Sequence, residues 1–289
     1  MSEAVEAAHG AAEHATAHSP GDYIMHHVAD GHEFEVPGGE HIWASEVSTH
    51  HLFGDALKLH IGGTEVDLTP TKLTLYMFVA AILVVGLLLA ATRKRGAVPK
   101  GKLQTIVEML FLFVRDEIAE KNIGHHSEKY VPYLATCFFF ILSMNLVGLV
   151  PYFAPATSSV YVTGVLALAT FAVTQIAGMR AQGVVGYWSH LVPSGVPFWL
   201  YPLLLPIEFI GLFTKPFALM MRLFANMVAG HIVIFFLLGL IFFLGAMAIP
   251  IAVPFAFGIF LLELFVAFIQ AYVFTILSAV FIGLASHAH

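Results

Sequence analysis

The chain has 289 residues, of which 58% are hydrophobic and only 11% charged, with a formal net charge of −6. Soluble domains carry about a quarter charged residues and about half apolar ones, so this composition excludes an ordinary soluble globular protein and indicates an integral membrane protein. Apolar runs of about 20 residues suit helical spans rather than barrel strands, and the single cysteine, Cys137, excludes an internal disulfide framework and a Cys-rich metal site.

Residues 1–69 are polar and hold ten of the sixteen histidines, several Asp and Glu, and one basic residue, Lys58. No cationic segment followed by an apolar stretch opens the chain, so no cleavable signal peptide is expected. The absence of Arg argues against an organellar transit peptide. The tail reads as a weakly ordered acidic extension; its histidines lack the tight spacing of a metal site. Residues 70–92 form the first expected span, followed at once by Arg93, Lys94 and Arg95, then Lys100 and Lys102. The positive-inside rule puts this end in the cytoplasm and the tail outside.

Residues 103–123 differ from a span. Leu103, Ile106, Val107, Leu110, Phe111, Val114 and Ile118 recur at helical spacing, with Glu108, Arg115, Asp116, Glu117 and Lys121 between them. An amphipathic helix at the cytoplasmic interface is expected. Residues 131–155 and 158–179 form the second and third spans, the third ending at Arg180. The Gly- and aromatic-rich loop 181–196 reads as interfacial.

Residues 197–245 are almost continuously apolar at helical period. At 1.5 Å per residue they reach roughly 73 Å, more than twice the hydrocarbon thickness of about 30 Å. The helix must tilt, bend at Pro202, Pro206 or Pro216, or lie partly in the interface. Residues 246–254 read as a turn, and 255–285 as a last long helix. The expected fold is an all-α membrane protein: five transmembrane helices plus an interfacial amphipathic helix, the last two long and tilted. The C-terminus then falls inside. No internal repeat is evident, which counts against inverted-repeat carriers.

Polar residues in the last two helices carry the chemistry. A charge at mid-bilayer is costly and marks function by default. At 100° per residue, Lys215 lies about 20° and Glu208 about 40° from Arg222, with Asn226 about 40° to the other side. These four share one stripe, while His231 falls near the opposite face. Glu263 and Gln270, seven residues apart, share one face of the last helix. In an antiparallel hairpin, level residues keep a constant index sum. One turn near residues 246–247 therefore brings Arg222 level with Gln270, and His231 level with Glu263. Glu263 and His231 can titrate, whereas Arg222 stays charged. The alternative is that these polar groups merely bind helices together, and Lys215 can also snorkel to an interface.

"KPFALMMRLFANMVAGH" (215–231), "ELFVAFIQAYVFTILSAVFI" (263–282) and "MNLVGLVPY" (144–152) resemble subunit a of the F-type ATP synthases, the membrane stator beside a rotating c-ring. The likeness covers roughly residues 70–285 and leaves out the tail. The resemblance implies that Arg222 is the essential arginine facing the c-ring carboxylate and blocking a short circuit between two aqueous half-channels. It implies that Asn226 and Gln270 are its polar partners, that His231 and Glu263 line the outer half-channel, and that Glu208 belongs to the inner one. In some bacterial members the acid and the histidine exchange places; the order here is similar to the mitochondrial type.

The expected function is a stator subunit that passes protons to and from the c-ring and couples their flow to ATP synthesis. Expected partners are the c-ring, a peripheral stalk of subunit b or b/b′, and membrane lipid, in a bacterial inner membrane. No phosphate-binding G-x-x-x-x-G-K-[ST] loop occurs, so no nucleotide is expected on this chain, and neither is nucleic acid, a cofactor or a metal. H⁺ is favoured over Na⁺, because no extra cluster of oxygen ligands stands out. The alternative is a free-standing proton-coupled secondary transporter. A haem carrier is weaker still, since His231 is the only histidine deep in a span.

Overall fold

The computed structural model describes residues 33–36, 45–48, 58–61, 64–67, 71–92, 101–150, 153, 155–189 and 198–286. Two antiparallel hairpins come first: β1 (Glu33–Val36) with β2 (Ser45–Ser48), and β3 (Lys58–Ile61) with β4 (Thr64–Asp67). They lie within the tail that the sequence reads as a weakly ordered acidic extension. In the second hairpin Lys58 is registered with Asp67 and Ile61 with Thr64. The remaining tail residues, and residues 190–197 of the expected interfacial loop, lie outside the described residues.

From residue 71 onward the described chain is helical. The main elements are α1 (Lys72–Thr92), α2 (Lys102–Ile123), α3 (Val131–Gly148), α4 (Val160–Gln182), α5 (Val184–Ser189), α6 (Tyr201–Leu244) and α7 (Ile249–Ser286). Among the described residues, five helices are long and apolar enough to cross a membrane: α1, α3, α4, α6 and α7. The expected all-α membrane architecture is present. With 44 residues, α6 is about 66 Å long at 1.5 Å per residue, so it cannot stand upright within one hydrocarbon layer. Helix α6 runs unbroken through Pro206 and Pro216.

Helix α2 lies along the bundle rather than inside it. Its Phe113–Glu120 stretch is wound as a π-helix. Val107, Val114, Ile118 and Ala119 are buried, while Leu103, Ile106 and Phe111 are exposed. One edge of the expected apolar stripe thus faces the bundle and the other is free, as suits a helix at a membrane surface. Arg115 and Asp116 pair at 2.6 Å on its polar side, where the guanidinium holds the Asp116 carboxyl below its ordinary range.

Two expected boundaries are corrected. The second span ends at Gly148 rather than residue 155, because the chain folds back onto itself: a Cβ on Gly148 would lie 2.3–2.8 Å from Cβ, Cα and N of Pro155. The last hairpin turns within Gly245–Ala248, and α7 starts at Ile249, so residues 249–254 are helix rather than turn. Pro250 falls in the first turn, where its missing N–H has no helical acceptor to lose.

Helix α3 is the centre of the bundle. Of its most apolar stretch, 72% is buried, against 11% for α6. Phe138, Ile141 and Met144 of α3 join Phe274 and Ile282 of α7 and Leu219 and Leu223 of α6 in one buried cluster. Lipid gives helices little hydrophobic reason to associate, so close packing must hold them. Helix α7 supplies it with buried small residues, among them Ala267, Ala271, Ser278 and Ala279. The buried hydroxyls of Thr275 and Ser278 donate back to Ala271 and Phe274 carbonyls, both at 2.8 Å. The C-terminal ends of α4 and α7 are tied by Gln182 Nε2 donating to the Ala285 carbonyl at 2.8 Å.

Candidate functional site

The antiparallel packing of α6 on α7 assembles the polar residues of both. His231, 7% exposed, and Glu263, 4% exposed, meet with Nδ1 and Oε1 2.5 Å apart. The second imidazole nitrogen, Nε2, lies 3.1 Å from the Gly148 carbonyl at the end of α3. Three helices therefore converge on one histidine. A carbonyl oxygen only accepts, so Nε2 carries a hydrogen.

Next to this pair stands a second polar group. Asn145, fully buried on α3, accepts from the Thr157 hydroxyl at 2.9 Å and reaches the Ala267 carbonyl at 3.5 Å. Ser158 follows on the same short turn, buried, with no protein partner for Oγ; Glu263 Oε2 likewise has none. Buried polar atoms are nearly always satisfied by protein or water, so each of these two oxygens is suited to a water partner. Sequence reasoning missed Asn145, Thr157 and Ser158. A lone amide in an apolar span was the available signal for Asn145; the other two sit in an uncharged link that gives none.

Gly230 makes the His231–Glu263 contact possible. A Cβ there would lie 2.8 Å from Glu263 Oε1 and 3.0 Å from Cδ. The carboxylate packs directly on the α6 backbone, in space that only glycine leaves open.

Farther from the hairpin turn, Asn226 Nδ2 donates to Gln270 Oε1 at 3.0 Å. The register thus pairs Gln270 with Asn226, where equal depth with Arg222 was expected. Arg222 is exposed on α6, and Glu208, Lys215 and Asn226 fall within about 40° of its helical angle. The exposed apolar residues nearest its helical angle are Ala218, Ala225, Ala229 and Val233. His231 is buried on the opposite side, as the helical wheel requires. Among the described residues, Arg222 makes no hydrogen bond or ion pair.

Farther along α6, Glu208 and Lys215 line a cavity of about 220 Å³ between α4, α6 and the end of α7. The Lys215 ammonium stands 5.6 Å from the centre of the Phe281 ring, a cation–π distance. By helical rise, Arg222 lies about 13 Å from the His231 level and about 21 Å from the Glu208 level. One fixed positive charge therefore stands between two separate polar regions.

The sequence model of the family described as "ATP synthase A chain" matches residues 74–283. A curated protein named ATP synthase subunit a from Anaeromyxobacter sp. is 49% identical over 98% of this chain and 76% of its own length. One of that name from Myxococcus xanthus is 58% identical over 76% of this chain and 74% of its own length. Another, from Chloroherpeton thalassium, is 46% identical over 90% of this chain and 75% of its own length. The first alignment takes in the N-terminal tail, which the motifs alone had left outside the likeness. Five apolar spans, the polar hairpin at their edge and these similarities agree: the chain is a membrane-embedded member of the ATP synthase subunit a family.

Proposed function

We propose that this chain is the stator of the Fo sector, passing protons between two aqueous half-channels and the carboxylates of a c-ring. The observation that carries this reading is Arg222, a permanent charge exposed among small apolar residues of α6, at a level between two polar regions. Acyl chains would make such a charge expensive. A carboxylate presented by a ring of neighbouring subunits offsets it.

In this reading protons enter from outside by way of Ser158, Asn145 and the His231–Glu263 pair. The pair releases a proton toward the face of α6 that carries Arg222, where it neutralises a ring carboxylate. The neutral carboxyl can turn into lipid, where an ionised one is penalised. After nearly a full turn it reaches the Glu208 cavity and ionises. Arg222 then attracts the new carboxylate and repels protons, so the two paths stay separate. The Asn226–Gln270 bond keeps both amides beside the guanidinium. Each charge crossing the membrane contributes about 2.3 kcal/mol per 100 mV, so several protons are needed for each ATP.

The proposed placement is a bacterial inner membrane, with residues 1–69 outside and the C-terminus in the cytoplasm. Arg93, Lys94, Arg95 and Arg180 support that orientation. Subunit b, or b and b′, would hold the stator against the torque of the ring.

Mild-detergent purification through a tag on this chain tests the reading. A stator brings down a c-ring and peripheral-stalk subunits in fixed ratio. A chain that purifies alone, with proton-coupled uptake of a solute in liposomes, would instead be a free-standing carrier.

A further inference from the structure

The inner cavity has a wall on α4 that the stripe on α6 did not foretell. Gln175 and Gln182 both line it, across from Glu208 and Lys215. Each pair is seven residues apart, so each repeats after two turns, about 10.5 Å, on one helix face. The helices run antiparallel, which sets Gln182 near the level of Glu208 and Gln175 near that of Lys215.

Both glutamines have a polar atom with nothing to bind. Gln182 donates its amide to the Ala285 carbonyl, which fixes its orientation and leaves Oε1 buried without a protein partner. Gln175 hydrogen-bonds Tyr187 of α5, and its Oε1 is likewise buried and unpartnered. Whichever way the Gln175 amide is turned, one of its polar atoms lacks a partner. Burial also holds the Tyr187 phenol above its ordinary range, so it stays a neutral hydroxyl. Of the four buried side-chain atoms without a protein partner among the described residues, these two face the inner cavity. An unsatisfied buried carbonyl costs about 1–3 kcal/mol; water supplies donors, and a cavity of about 220 Å³ holds several.

We infer that Gln175 and Gln182 are positioning residues of the inner proton path: they anchor a file of water along α4 that joins the cytoplasmic face to Glu208 and Lys215. This rests on the stator reading above and extends it to a second helix. Neither glutamine gains or loses a proton. Each accepts a hydrogen bond from water, orienting the file so that a proton delivered by the ring can leave.

The test uses the complete synthase in inverted vesicles, in a Cys137→Ala background. Gln175→Cys, Gln182→Cys and Ile176→Cys are made singly. A thiol reacts as thiolate, which forms where water reaches it. A charged, membrane-impermeant thiosulfonate is expected to label positions 175 and 182 and to stop ATP-driven proton pumping. Position 176, one residue away and outside the cavity lining, should stay unlabelled. The double variant Gln175→Leu/Gln182→Leu should slow proton flux at least about tenfold at unchanged complex content, the loss of two water-holding hydrogen bonds from the path. Gln175 and Gln182 sites as silent as Ile176, or all three labelled alike, would overturn the inference, and the labelling decides even if the Leu variant does not assemble. Arg222→Ala in the same vesicles separates the two readings. If it abolishes synthesis while the glutamine sites stay silent, only the water file is lost. If it leaves synthesis intact, the stator reading itself is wrong.

Discussion

Glu263 Oε1 lies 2.5 Å from His231 Nδ1, on a ring whose far nitrogen is held by the Gly148 carbonyl at 3.1 Å. The carbonyl at Nε2 orients the imidazole, so that Nδ1 and the Glu263 carboxyl face each other as a relay able to pass one proton. Glu263→Gln ends this exchange, since an amide cannot take up the proton. We expect proton-driven ATP synthesis to fall about 100-fold, the lower range for a lost acid–base group, with the complex still assembled. The exchanged double variant His231→Glu/Glu263→His restores a titratable pair and should recover much of the rate. Quantifying synthesis and complex content in vesicles from the three strains checks this.

Gly230 bears on the same contact without titrating. In Gly230→Ala the new methyl meets the Glu263 carboxyl at 2.8 Å. The carboxyl is the end of a flexible side chain, so it swings aside and the fold survives. A displacement of about 1 Å can cost on the order of 100-fold in a positioned reaction. ATP-driven proton pumping should therefore drop while thermal stability in detergent stays close to that of the parent. A large loss of stability would place the strain elsewhere.

Gly283 is the contrasting case. A Cβ there would lie 2.1 Å from the Asn122 backbone carbonyl, where α7 crosses the end of α2. Backbone cannot swing aside. Gly283→Ala should lower stability by about 1–3 kcal/mol, the usual cost of overpacking, and reduce the amount of assembled complex. Gly86→Ala on α1, where an added Cβ meets nothing within 4 Å, is the control that should leave assembly unchanged. Thermal denaturation of the purified complexes distinguishes them.

The bond between Asn226 and Gln270 predicts a graded effect. Gln270→Leu leaves the Asn226 amide without its acceptor and removes a dipole beside Arg222. One neutral hydrogen bond contributes about 1 kcal/mol, so a loss of about fivefold in synthesis is expected, far milder than any change at Arg222. Loss equal to that of an Arg222 variant would mean that Gln270 carries a proton-path role of its own.

Much of this was legible in the sequence, and particular residues show why. The spans follow from run length, and the opposite placement of Arg222 and His231 follows from helical angle alone. The His231–Glu263 contact followed from one hairpin turn. Gln270 was harder. A tight turn at Gly245–Ala248 and the residual rotation of two helices decide whether it meets Arg222 or Asn226, and index sums cannot resolve one turn. Thr157, Ser158, Gln175 and Gln182 were missed because their importance depends on which atoms lack partners after packing. The hairpins of the tail were missed because four-residue strands leave almost no periodicity to read.

Arg222→Ala in inverted vesicles carrying the complete synthase tests the stator reading most directly. We expect ATP synthesis driven by an imposed proton gradient to disappear, while the amount of assembled complex is kept and passive proton leak persists or rises. Near-normal synthesis with alanine at position 222 would contradict it.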